Sequence, residues 1–161
     1  MRNVSDRNIL DKFCIDFCRV LEKHCRYIIV SGFVAISSGR ARGTEDIDVI
    51  IEKLDKEKFK KLHDALLKKG FECIQSKSSD IIFDDYLFRK DSVRYIWKGK
   101  FLPEMELKFS KDALDEYQLK TRVQLKLTGL DVWFSSVNIN IAFKEEYLKS
   151  DKDLEDAKHL R

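Results

Sequence analysis

Two aspartates stand two residues apart in an otherwise apolar run: Asp46 and Asp48, between and before Ile47, Val49, Ile50 and Ile51. In a β-strand such residues share one face, while Ile47 and Val49 share the other. Two carboxylates so placed repel each other and resist burial unless a cation neutralises them. Magnesium suits them, because it takes hard oxygen ligands and often shares them with substrate phosphates. The plainer alternative is a pair of surface carboxylates on a half-exposed strand.

Phosphoryl-group chemistry also needs a backbone cradle for phosphates and cations that offset charge on the leaving group. Both are available just upstream. Ser31-Gly32 forms a turn whose N–H groups, at the start of a short helix, suit an anion. Arg40 or Arg42 offers a planar fork for a phosphate. The loop is not a Walker A motif, since no Gly-Lys-Ser/Thr follows. Nor is it a dinucleotide fingerprint, since its glycines are 32, 39 and 43. For Gly32 a simple strand-to-helix turn is the competing explanation.

These residues need elements to hold them. Ser5 is placed to cap a helix running to about His24, with Ile9, Leu10, Phe13, Phe17, Val20 and Leu21 as its apolar positions. Residues 27–30 read as a buried strand, 33–38 as a short helix, 39–44 as loop and 45–51 as the acidic strand. Asp55 caps a helix over 56–69 that Gly70 closes. Residues 71–75, 93–97 and 104–109 read as strands, the last two around a Lys98-Gly99-Lys100 turn. No type is assigned to 80–90. Residues 112–119 suit a helix, 123–127 and 130–134 a hairpin about Thr128-Gly129, and 139–148 and 151–161 two closing helices. The expected class is α/β (α+β): a small mixed sheet backed by helices, one domain over 1–161 with C-terminal helices from about 138.

Composition narrows the function. Of 161 residues, 37% are charged and 43% apolar, which suits one folded core. The 31 basic and 28 acidic residues leave a net charge of +3, too weak and interspersed to signal nucleic-acid binding. The lysines of 56–61 read as a solvated helix face. No run reaches the length of a membrane span and no signal-peptide core is evident, so a cytoplasmic location and no membrane partner are expected. Cys14, Cys18 and Cys25 fall on one helix face with Leu21, the pattern of core packing rather than of a zinc site or disulfide. His24, His63 and His159 lie on predicted helices without a paired nucleophile, so a hydrolase triad has no support. Trp97 and Trp133 read as core residues rather than nucleobase stackers.

The sequence around the acids resembles a known signature. Ser31-Gly32, eleven intervening residues, then Thr44-Glu45-Asp46-Ile47-Asp48-Val49 is similar to the motif of DNA polymerase β-like nucleotidyltransferases. Arg42 and Thr44 match the Arg-x-Thr-x-Asp-x-Asp form of minimal, antitoxin-like and AbiEii-type members. Lys144 in IAFKEEYL, then Lys152-Asp153-Leu154-Glu155-Asp156, resembles their C-terminal pattern, although Asp151 as N-cap of an ordinary acidic helix start explains the latter equally. The chain departs from the pattern in its Ser-Gly order, in Phe33 where Ser is usual, in a Glu as third acid, and in Asn138.

The resemblance implies magnesium-dependent transfer of a nucleoside monophosphate from a nucleoside triphosphate such as ATP. Two metal ions would be held by Asp46, Asp48 and a third carboxylate. Glu106 is the candidate, since Met105, Leu107 and Phe109 alternate against it; Glu104 is the runner-up. Ser31, Gly32, Arg42, Thr44 and Lys144 would bind the nucleotide. The acceptor is a protein, an RNA end or a small hydroxylated molecule, with a macromolecular partner favoured. The alternatives are a catalytically inactive nucleotide-binding or antitoxin-like partner protein, and a two-metal nuclease.

Overall fold

The computed structural model describes residues 4–30, 46–125 and 131–136. The first helix, α1 (Val4–Glu22), begins one residue before Ser5, so Ser5 stands within the helix rather than at the position before it. Leu10, Phe13, Phe17, Val20 and Leu21 are buried as expected, and Cys14 and Cys18 with them. Ile9 differs: it is 50% exposed. The buried stripe is centred between Phe17 and Leu21, which draws the cysteine flank inward and leaves Ile9 at the margin. The helix ends before His24, so Cys25 lies beyond it, half-buried against the same core.

Strand β1 (Tyr27–Val30) runs antiparallel to β2 (Asp46–Ile51). Asp55 then caps α2 (Lys56–Lys68), its side chain accepting from Lys58 N at 2.8 Å. Gly70 closes that helix with φ +92, a conformation glycine adopts without steric cost. Strand β3 (Phe71–Cys73) is shorter than the sequence suggests. The side chain of Gln75 accepts from Arg94 N at 2.8 Å, taking a donor that a continuing strand would have used.

Residues 80–90, untyped from sequence, are helical. A single α turn, Ser79–Ile81, capped by the Ser78 hydroxyl, leads into a π turn, Ile82–Tyr86, and a 3-10 turn, Leu87–Arg89. Ile82 and Leu87 are both buried although five residues apart. An α-helix would rotate them well away from each other, and the wider π turn brings them back to one side.

Strands β4 (Val93–Trp97) and β5 (Glu104–Phe109) pair antiparallel. Helix α3 (Ala113–Lys120), capped by Asp112, precedes the antiparallel pair β6 (Val123–Leu125) and β7 (Val132–Phe134). The seven strands form one mixed sheet in the order β3-β4-β5-β2-β1-β7-β6. Its β2–β5 and β1–β7 contacts are parallel.

One sheet face carries the main core. Ile47, Val49, Tyr95, Met105 and Leu107 pack there with Phe13 and Phe17 of α1 and Phe59 and Leu62 of α2. Trp97 joins this core edge-to-face with Phe13, at 5.1 Å between ring centres. On the other face, Leu119 of α3 covers Ile28 and Ile50. That cover lies toward the C-terminal end of β2, leaving the Asp46 end of the same face to the polar residues described next.

Candidate functional site

The acids are arranged by strand register. Parallel pairing of β2 with β5 sets Asp46 opposite Glu104 and Asp48 opposite Glu106. Register partners point to the same face, and neighbouring strands lie about 5 Å apart. Four carboxylates therefore form a two-by-two array. Ile47, Val49, Met105 and Leu107, interleaved with them, are buried on the opposite face. The alternation in both strands thus divides core from acid array residue by residue.

Like charges this close need compensation, and β4 supplies some. Arg94 is the register partner of Glu106 on its other side, and its Nε lies 3.3 Å from Glu104 Oε1. The Ser92 hydroxyl donates to Glu106 Oε2 at 2.6 Å. Both glutamates thus make these contacts toward β4, away from β2. Among the described residues no group of three or more His, Cys, Asp and Glu side chains is gathered closely enough to hold a metal ion. The donor chemistry of Asp46, Asp48 and Glu106 suits magnesium, since all three offer hard carboxylate oxygens. The Ser92 hydrogen bond holds one Glu106 oxygen on the β4 side.

On the opposite flank, β1 pairs Val30 with Asp48. The chain leaves β1 at Val30 and re-enters the sheet at Asp46, so both ends of that connection lie at the acids. Ser31, Gly32, Arg40, Arg42 and Thr44, together with the short helix and loop read over 33–44, lie outside the described residues. So do Thr128-Gly129, Asn138, Lys144, Lys152, Asp153, Asp156, His159 and the two closing helices.

Ser92 and Arg94 were missed by sequence reasoning. Their alternation with buried Val93 and Tyr95 marks them as facing away from the core, but only the β4–β5 register sets them beside Glu106. His63 is a core residue. Its Nδ1 lies 2.8 Å from the Tyr95 hydroxyl and its Nε2 3.1 Å from the Lys77 carbonyl. A carbonyl only accepts, so Nε2 carries the proton and, in the neutral ring, Nδ1 accepts from Tyr95. Burial lowers the His63 pKa. Burial likewise raises the Cys25 thiol to about 12, which leaves it protonated and inert. Among the described residues no helix is long and apolar enough to cross a membrane.

This mixed sheet, with two helices on its core face, is a fold shared with known proteins. Solved structures match it, among them a Thermotoga maritima protein provisionally assigned as a nucleotidyltransferase. The likeness covers 97% of this chain and 94% of that one, with a TM-score of 0.50 and 11% sequence identity. At that identity the similarity is one of fold. No protein-family model matches the sequence, and no curated protein matches it.

Proposed function

We propose that this chain is a nucleotidyltransferase, moving a nucleoside monophosphate from a nucleoside triphosphate to a hydroxyl acceptor with magnesium bound. The observation that carries this is the register of Asp48 against Glu106, with Asp46 on the same face, at the end of the sheet that no described helix covers. Asp46 and Asp48 hold the metal, and Glu106 is the third carboxylate. When bound, magnesium neutralises charge on the phosphates and lowers the cost of forming the nucleophile. Ser31 and Gly32 bind phosphate from the β1 flank, with Arg42, Thr44 and Lys144 completing the nucleotide site. The sequence signature supports placing the chain with the minimal, antitoxin-like and AbiEii-type members, acting as one domain in the cytoplasm.

A second reading is a non-catalytic nucleotide-binding or antitoxin-like partner on the same fold. It is favoured by one observation: Glu104 and Glu106 are engaged by Arg94 and Ser92 on the side away from β2. Titration calorimetry with each of the four common nucleoside triphosphates, with and without magnesium, tests nucleotide use. Labelled transfer then separates the two readings. No magnesium-dependent heat with any triphosphate removes the enzymatic reading.

A further inference from the structure

On the helix side of the sheet, away from the acid array, two concavities of about 380 and 420 Å³ adjoin and share Lys23 and His24. The first lies between the ends of α1 and α2, with Lys68, Lys69 and Ala65 in its wall. The second continues along the first half of α2, where Lys53, Lys58 and Lys61 line it. At 3.6 residues per turn, Lys58, Lys61, Ala65 and Lys68 fall on one face of α2, and Lys69 follows at its C-cap. All of these lysines are exposed. From Lys58 to Lys69 the row is about 16 Å long, at 1.5 Å per residue.

These cations are not used inside the molecule. The other lysines of α2 are paired: Lys56 Nζ lies 2.8 Å from Asp84 and Lys60 Nζ 3.2 Å from Asp64. Among the described residues no ion pair takes up Lys23, Lys53, Lys58, Lys61, Lys68 or Lys69. The acids in the same walls have other partners. Asp16 pairs with Lys12 at 3.0 Å, Glu52 with Arg26 at 3.3 Å, and Asp55 accepts from Lys58 N as the cap of α2. Helix stability does not explain the row either. Lys68 and Lys69 complement the helix dipole, but Lys58 stands in the first turn, where a cation is unfavourable. The net charge of the chain is only +3, so the fold itself gathers these lysines.

We infer that this surface docks the phosphate backbone of duplex RNA without reading its bases. The inference is independent of the nucleotidyltransferase reading, since it uses none of the acid array. Charge complementarity calls for a polyanion, and shape narrows the choice. A cation row about 16 Å long spans several successive phosphates of one strand, more than a lone phosphate or lipid headgroup needs. Among the described residues no Phe, Tyr or Trp lines either concavity, so an unpaired base has no platform to stack on. A duplex keeps its bases stacked inside and presents its backbone. A bilayer is flat and takes up apolar side chains along with basic ones. Here the exposed Leu67 lies on the far side of α2 from the lysine row. RNA is favoured over DNA because the A-form brings two phosphate rows together across a narrow major groove, so a dense lysine row meets more charge.

The test is fluorescence anisotropy of the full chain with a labelled random duplex RNA of about 20 base pairs, from about 50 to about 200 mM salt. The expected result is binding that does not depend on sequence, with log affinity falling against log salt at a slope of about 3 or steeper. Lys61→Gln with Lys68→Gln should lower that slope by about two. Lys56→Gln with Lys60→Gln removes the same charge from the paired lysines of the same helix, and should leave the RNA Kd within about twofold. Circular dichroism checks that both variants fold. Equal weakening by the two variants overturns the surface, since net charge alone would then account for binding. Tighter binding of duplex DNA, single-stranded RNA, phosphatidylserine vesicles or poly-glutamate overturns the assignment to duplex RNA, as does no binding at about 50 mM salt. Magnesium-dependent nucleotide heat should be unchanged in the Lys61→Gln with Lys68→Gln variant, so the two sites are tested separately.

Discussion

The Ser92 hydroxyl donates to Glu106 Oε2 at 2.6 Å, so the third acid of the array is tethered to β4, while its register partner Asp48 stands on the other side, in β2. For Glu106 to share a metal with Asp48, its side chain has to turn from β4 toward β2, which this bond opposes. Ser92→Ala removes the tether and should tighten magnesium-dependent nucleotide binding by roughly three- to tenfold, the scale of one hydrogen bond. Calorimetry reads this directly. Unchanged or weaker affinity would remove Glu106 from the metal set.

Asp46→Asn with Asp48→Asn should abolish magnesium-dependent nucleotide heat. The exchange is nearly isosteric and relieves like-charge repulsion across the array, so the fold should hold to within about 0.5 kcal/mol. Circular dichroism and a urea midpoint check the fold, and calorimetry the binding. Retained binding in a folded variant places the metal elsewhere.

His63 carries a pH dependence. Burial holds its pKa below the ordinary 6.5, because the neutral ring is packed between Phe59 and Tyr95. Between the native value and 6.5 the unfolded chain binds more protons than the folded one, so stability falls as pH drops. The contribution is whole above 6.5 and is lost as pH falls through the native value. Urea midpoints from pH 8 down to pH 5 should therefore decline more steeply than in His63→Gln. Parallel profiles would show that the buried imidazole contributes nothing to the slope.

Gly70 offers a test of the backbone alone. Its φ is +92, and a Cβ added there would meet nothing within 4 Å. Gly70→Ala should cost about 1–2 kcal/mol from the left-handed conformation only, with no steric term. A shift in urea midpoint at unchanged slope measures it, and a neutral result would mean the helix end rearranges at no cost.

Much of this molecule is local chemistry, and local chemistry is legible in a sequence. Alternation in Glu104–Phe109 separated Met105, Leu107 and Phe109 from the glutamates before any pairing was known. Asp55 and Gly70 bounded α2 because a carboxylate satisfies free N–H groups and glycine tolerates positive φ. Tyr27–Val30 and Val93–Trp97 were readable as strands from their β-branched and aromatic residues. Segment 80–90 was not, since the spacing of Ile82 and Leu87 fits a π turn and neither common period.

The sequence by itself determined most of the residues that face the core, where α2 begins and ends, and that Asp46 and Asp48 share a face. All of these depend on the 3.6 and 2.0 periodicities and on capping chemistry within a few residues. Only the tertiary structure decided that Glu106 stands opposite Asp48 and that Ser92 and Arg94 hold the two glutamates. Those facts rest on strand order and register between segments tens of residues apart. Register is set by how whole apolar faces pack together, and no stretch of sequence contains that on its own.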